Sequence, residues 1–329
     1  MRPRLVFVHG VGGPRDAAAE LAGWTAALAS GMRAAGHSDV ADGLSDGEVD
    51  RRFVHYADLF RPAQAQGSGA GDEADEATAG ILLQLLDEML AGLAGALPQT
   101  PRSEHEEQAA RILAHARVQT APRAQEQGTM AGARRALNAA TTVLSTRMFR
   151  GLGQWTAPKL MVRDLGQVAR YLARRETDAS GLTLDARVRD RVAPELGPAT
   201  TVLVTHSLGT VVSWETLHER PARTGLLVTL GSPLGMRTVV WPRLVPRPQR
   251  TPEKVDAWLN FFDHDDPVAV RQRLEDDFGP NSAMVGPVSR RVDSTGFWVH
   301  PARLYLEQPA VAGPIAEALR AAAATAEER

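Results

Sequence analysis

The chain contains no cysteine, which excludes disulfides, thiolate nucleophiles, zinc–cysteine sites and iron–sulfur clusters together. It also lacks a strong charge of either sign. The formal net charge is -2 at pH 7, so nothing in the balance calls for a nucleic-acid partner or a generally anionic target surface. A long uninterrupted hydrophobic run is missing too. The most apolar stretch, "GILLQLLDEMLAGLAGAL" (80–97), carries Asp87 and Glu88 near its middle. A bilayer span needs about 20 predominantly apolar residues and two central acids would be costly there, so a buried or amphipathic helix is expected. The start, "MRPRLVFVHG", runs from two arginines straight into a strand-like segment, without the apolar core and small-residue cleavage site of a secretory signal. These absences together predict a cytoplasmic protein with no transmembrane segment, peripheral membrane contact and oligomeric state being left open.

With 329 residues, there is room for two average domains or for one α/β domain with an insertion. Short aliphatic runs that stop at turn residues recur at both ends of the chain: "RLVFV" (4–8), "RRFVHYADLF" (51–60), "TVLVTH" (201–206), "LLVTL" (226–230) and "WLNFF" (258–262). "VSRRVDS" (288–294) reads as a last, more polar edge strand. Such runs suit strands buried on both faces of a mostly parallel sheet. Helical patterns lie between them, over 14–36, 164–176, 184–196, 210–220 and 310–329. Strand and helix alternate, which predicts an open α/β sheet flanked by helices.

The middle differs. No strand is evident from 61 to 156; its opening "RPAQAQGSGAGDEADEA" reads as a flexible segment near 63–77. Leu82, Leu86, Met89, Leu93 and Leu97 then recur at helical spacing, and a second helix covers 131–149. The expected organisation is a core of 1–60 and 157–329 interrupted by a helical insertion, 61–156. The insertion either supports the core or covers a site as a lid.

"VLVTHSLGT" (202–210) is a β-branched and aliphatic run that stops at His206-Ser207 and resumes as a helix after Gly209. One reading is a helix-capping serine. The other is a nucleophile elbow, in which a strand turns sharply into a helix and presents serine at a strained corner between small residues. Gly209 fits that pattern, whereas Thr205 stands where a glycine is usual. Serine is a weak nucleophile at neutral pH, so the second reading also needs a base and donors for a developing oxyanion.

With "LVFVHGVGG" (5–13), "WLNFFDHDDPVA" (258–269) and "TGFWVHPARLYL" (295–306) in this order around the elbow, the chain resembles the α/β-hydrolase superfamily, in particular its intracellular serine esterases and lipases. The resemblance covers both flanks and not the helical middle. It implies Ser207 as nucleophile, His300 as general base, and Asp266 as the acid, with Asp263 second. It further implies oxyanion donors at the backbone of Val11 and Leu208, and substrate contacts at His9, Gly10, Gly12, Ser232 and Pro233, the last two from "TLGSPLG" (229–235). His206 adjoins the nucleophile on its strand and is expected to point away from it.

The implied activity is cleavage of a carboxylic ester, of a small molecule or a lipid, through an acyl-enzyme, with no cofactor and no metal. Thioesterase or acyltransferase chemistry would use the same residues. An inactive hydrolase-like module binding a lipid or protein is the non-enzymatic alternative. A dinucleotide-binding loop is a competing reading of 10–15, but Arg15 occupies the third glycine position of G-x-G-x-x-G.

Overall fold

The computed structural model describes residues 2–12, 16–60, 71–98, 103–121, 129–144, 158–197, 199–295 and 299–327. β1 (Arg4–Val8) leads through α1 (Ala17–Ala34) and α2 (Ser38–Asp46) to β2 (Asp50–Val54). Then come α3 (Gly71–Ala96), α4 (Glu104–Thr120) and α5 (Thr129–Leu144), after which α6 (Pro158–Ala173) and α7 (Leu184–Leu196) return the chain to β3 (Ala199–His206). α8 (Leu208–Glu219), β4 (Arg223–Leu230), β5 (Trp258–Asp263), β6 (Pro287–Val292), α9 (Ala302–Leu306) and α10 (Pro309–Glu327) complete it.

These strands form one six-stranded sheet in the order β2-β1-β3-β4-β5-β6, and every neighbouring pair is parallel. Side chains of successive strand residues point to opposite faces, and the central strands are apolar at both parities. Val6, Val8, Leu203 and Leu227 therefore join a core with α6, α7, α8 and the helices of the insertion. Leu5, Phe7, Val202, Val204 and Val228 join a second core with α1, α9 and α10. The fold is thus an α/β architecture with a parallel sheet covered by helices on both faces.

In the middle of the chain, α3 packs against α4, α5 and α6, burying Leu82, Leu86 and Met89 as their spacing predicts. Residues 71–77, read from sequence as the end of a flexible segment, are the first turns of α3. The segment 63–70 lies outside the described residues. Glu76–Gly95 is long and apolar enough to cross a membrane by length and composition. In this structure its two central acids are engaged, Asp87 with Arg117 and Thr120 and Glu88 with Thr238.

Strand order reverses beside β1: β2 lies on one side of it and β3 on the other. In open parallel sheets such a switch point leaves a crevice outside the carboxyl ends of the two strands, where ligands bind. Here those ends carry His9-Gly10 and Ser207.

Candidate functional site

Ser207 sits between β3 and α8 with φ 53° and ψ -129°, a left-handed conformation that a non-glycine residue adopts at a cost of about 1–3 kcal/mol. A serine acting only as a helix cap would have extended backbone and accept a hydrogen bond from the first turn. Ser207 has neither: its side chain makes no capping bond. Close packing forces the corner. A Cβ on Gly209 would lie 2.4 Å from the His9 carbonyl oxygen and 2.6 Å from that of Val8, and one on Gly10 would lie 2.6 Å from Ser207 Cβ. Thr205 replaces the usual glycine because it is still in the strand, where its hydroxyl donates to the Val228 carbonyl at 2.9 Å.

The structure brings His300 and Asp266 together. His300 Nδ1 lies 3.0 Å from Asp266 Oδ1 and 2.9 Å from Oδ2, both residues being buried. The carboxylate accepts a hydrogen bond from Nδ1–H, which leaves Nε2 on the opposite side of the ring as the nitrogen able to accept a proton. Burial works against the Asp266 charge, but the adjacent His300 and the bonds from His300, Tyr305 and the Val268 N–H outweigh it and hold the carboxyl below its ordinary range. Gly231, at φ 51°, passes so close that a Cβ would lie 2.6 Å from Asp266 Oδ2 and 3.1 Å from His300 Nδ1. Only a residue without a side chain fits there.

Asp263 does other work. Its carboxylate accepts the N–H groups of Asp265 at 3.0 Å and Ser294 at 2.6 Å, so it shapes the turn and does not reach His300. Tyr305, which sequence reasoning missed, links the two aspartates. Its hydroxyl donates to Asp266 Oδ2 at 2.7 Å and accepts the Asp263 N–H at 3.0 Å. Burial, then the Asp266 charge, pushes this phenol well above its ordinary range, so it remains a donor.

Ser207 and His300 line one cavity of about 270 Å³ with His9, Gly10, Val11, Glu20, Trp24, His206 and the residues 301–303. No hydrogen bond joins Ser207 Oγ to His300 among the described residues; such contacts are commonly long before substrate arrives. His206 departs from expectation, since it lines this cavity as well. Its Nε2 donates to the His300 carbonyl at 2.6 Å, and the two rings are 4.6 Å apart. The positive φ of Ser207 breaks strand alternation, so neighbouring side chains border the same space.

Of the predicted oxyanion donors, Val11 lies on the cavity wall. Leu208 is the first residue of α8, where backbone N–H groups have no intrahelical acceptor. The glycine loop is held from outside the strand. Gln167 of α6 accepts the Gly12 N–H at 3.1 Å and donates to the Gly12 carbonyl at 2.9 Å. His9 stacks on Tyr56, with ring centroids 4.3 Å apart. Its Nε2 accepts the Tyr56 N–H at 3.3 Å, which places its proton on Nδ1, toward the Gly10 carbonyl.

Ser232 and Pro233, expected to touch substrate, are buried elsewhere. Ser232 Oγ lies 2.8 Å from Thr210 Oγ1 and accepts the Leu234 N–H at 3.2 Å, so this segment braces the elbow helix and does not line the cavity. Gly12 does not line it either. None of the described insertion residues reaches it; they border a separate groove of about 900 Å³ between α3, α4 and α5. The end of the insertion, 145–156, falls outside the described residues. Among the described residues no group of three or more His, Asp and Glu side chains is placed to hold a metal ion.

Tyr305 left a faint trace in the sequence, a phenol shortly after His300 in "HPARLYL", and Gln167 a clearer one, a polar residue between Leu165 and Val168 on the buried face of α6. Trp24, Glu20 and Arg303 left none, because they reach the cavity only through the packing of α1 on α9. Compared with known proteins, the chain matches no family model, no characterised protein and no solved structure.

Proposed function

We propose that the chain is a serine hydrolase of the α/β-hydrolase type that cleaves carboxylic esters through an acyl-enzyme on Ser207. The observation that carries this reading is the buried Asp266–His300 pair, whose His300 borders the same cavity as a serine held at positive φ between strand and helix. In the proposed cycle Ser207 Oγ attacks the ester carbonyl while His300 Nε2 takes its proton. The backbone N–H groups of Leu208 and Val11 receive the oxyanion. Collapse of the tetrahedral intermediate expels the alcohol, which leaves with the proton from His300. Water, deprotonated by the same nitrogen, then attacks the acyl-enzyme; the acid departs and the proton returns to Ser207. Asp266 fixes the ring and stabilises the imidazolium throughout.

The small volume of the cavity favours a compact ester over a long-chain lipid. A lid role for the insertion has no contact among the described residues to rest on. Hydrolysis of short-chain 4-nitrophenyl esters by the wild type, abolished in Ser207→Ala, is the expected result. A folded protein that turns over none of them, or a Ser207→Ala variant as active as the wild type, would instead favour a non-catalytic binding module.

A further inference from the structure

The cavity beside Ser207 has a charged mouth that the hydrolytic cycle does not use. Arg303, on α9, and Glu20, on α1, both line it. Their situations differ. Glu20 is already engaged, whereas among the described residues no hydrogen bond or ion pair reaches the Arg303 guanidinium. Nor is its position incidental, since it lies flat on α1 at Gly23. There a Cβ would stand 2.6 Å from Arg303 Nη2, 2.8 Å from Cζ and 3.1 Å from Nε. Any other residue at position 23 would push the guanidinium away. Glycine costs helix stability in the middle of α1 relative to alanine, and here it provides a seat that keeps a cation at the cavity.

Size narrows what that cation meets. At about 270 Å³ the cavity falls below the roughly 300–1,000 Å³ of drug-sized pockets. Its wall combines the rings of His9, His206, His300 and Trp24 with the smaller apolar side chains of Val11, Pro301 and Ala302. That volume suits a short acyl chain better than a long one. A short acid or alcohol moiety ending in an oxyanion fits both the volume and the guanidinium, whose planar fork matches carboxylate or phosphate geometry.

We infer that Arg303, seated on Gly23, makes Ser207 selective for small esters that carry a second, anionic group, carboxylate or phosphate. This rests on the hydrolase reading above. The test compares kcat/KM for three substrates of similar length: 4-nitrophenyl hydrogen glutarate, its neutral counterpart 4-nitrophenyl valerate, and the ester of 4-(trimethylammonio)butyrate. A 4-phosphonobutyrate ester distinguishes the two kinds of oxyanion. The expected order for the wild type is anionic, neutral, cationic. The anionic-to-neutral ratio should fall by about 10-fold or more in Arg303→Gln, fall less in Arg303→Lys, which keeps the charge without the fork, and decline with added salt, as an exposed charge contact must.

A ratio at or below one in the wild type, or one untouched by Arg303→Gln, overturns the inference while leaving ester hydrolysis standing. Preference for the cationic ester overturns it in favour of Glu20. If no ester is turned over, calorimetric binding of monomethyl glutarate decides the matter alone. Binding to the wild type that weakens about 10-fold or more in Arg303→Gln supports the anion site, and equal or absent binding in both ends it.

Discussion

Asp263 and Asp266 share one turn, and the residue type alone does not distinguish their roles. Geometry does: Asp266 faces His300 with both carboxylate oxygens, while Asp263 spends its oxygens on backbone N–H groups. Asp266→Asn should therefore lower kcat for a neutral ester by about 10⁴-fold, because the imidazole loses the partner that fixes its tautomer. Asp263→Asn should cost far less activity and show mainly as a lower melting temperature. Steady-state kinetics and thermal melts of the two variants separate the roles, and equal kinetic losses would contradict the assignment. Tyr305→Phe removes one donor to the Asp266 carboxylate and one acceptor for the Asp263 N–H. A hydrogen bond to a charged group is worth roughly 1.5–3 kcal/mol, so kcat/KM should fall about 10- to 100-fold, mostly in kcat and without change in Ser207 accessibility.

Between elements, the elbow helix α8 is anchored on the side away from the cavity by a buried ion network. Glu215 accepts hydrogen bonds from Tyr171 Oη at 2.7 Å, from the Val245 N–H at 3.1 Å, and from Arg174. Arg174 and Arg189 also reach Asp185 of α7, at 2.7 Å and 2.8 Å. Burial, then the charge of Glu215, pushes the Tyr171 phenol well above its usual range, so it stays a donor. Removing one member leaves buried charge of the opposite sign uncompensated. Glu215→Ala should therefore destabilise the protein by about 3–5 kcal/mol, read from the urea midpoint, and a loss below about 1 kcal/mol would show that the network contributes little.

The same scale shows what the sequence made legible. The buried strands announced themselves because both faces of a parallel sheet are apolar, so "VLVTH" and "LLVTL" read as continuous runs. α7 was visible from its spacing, whereas α2, short and with few apolar side chains, and α4, with little apolar periodicity, were not. His300 and Asp266 could be placed by chain order around Ser207. Tyr305, Gln167 and Arg303 could not, because their contacts arise only when α9 packs near α1 and when α6 meets the glycine loop. Nor could the inward turn of His206, which follows from a single positive φ.

Over the whole molecule, the reversal of strand order beside β1 places the crevice that Ser207 borders, and the buried Asp266–His300 pair makes stability depend on pH. Asp266 titrates below its unfolded value of about 3.9. The stability it contributes is present above that value and is lost as pH falls through the lower folded one. The difference in melting temperature between wild type and Asp266→Asn should accordingly shrink as pH is lowered from 6 to about 3, and a difference that stays constant would contradict the charge assigned to Asp266.

The account as a whole depends on Ser207 being activated by His300. Its most direct measurement is fluorophosphonate labelling followed by mass-spectrometric mapping. One label per chain on Ser207, absent in Ser207→Ala and greatly slowed in His300→Ala, is the predicted result. A folded wild-type protein that remains unlabelled, or is labelled equally fast without the imidazole of His300, would contradict it.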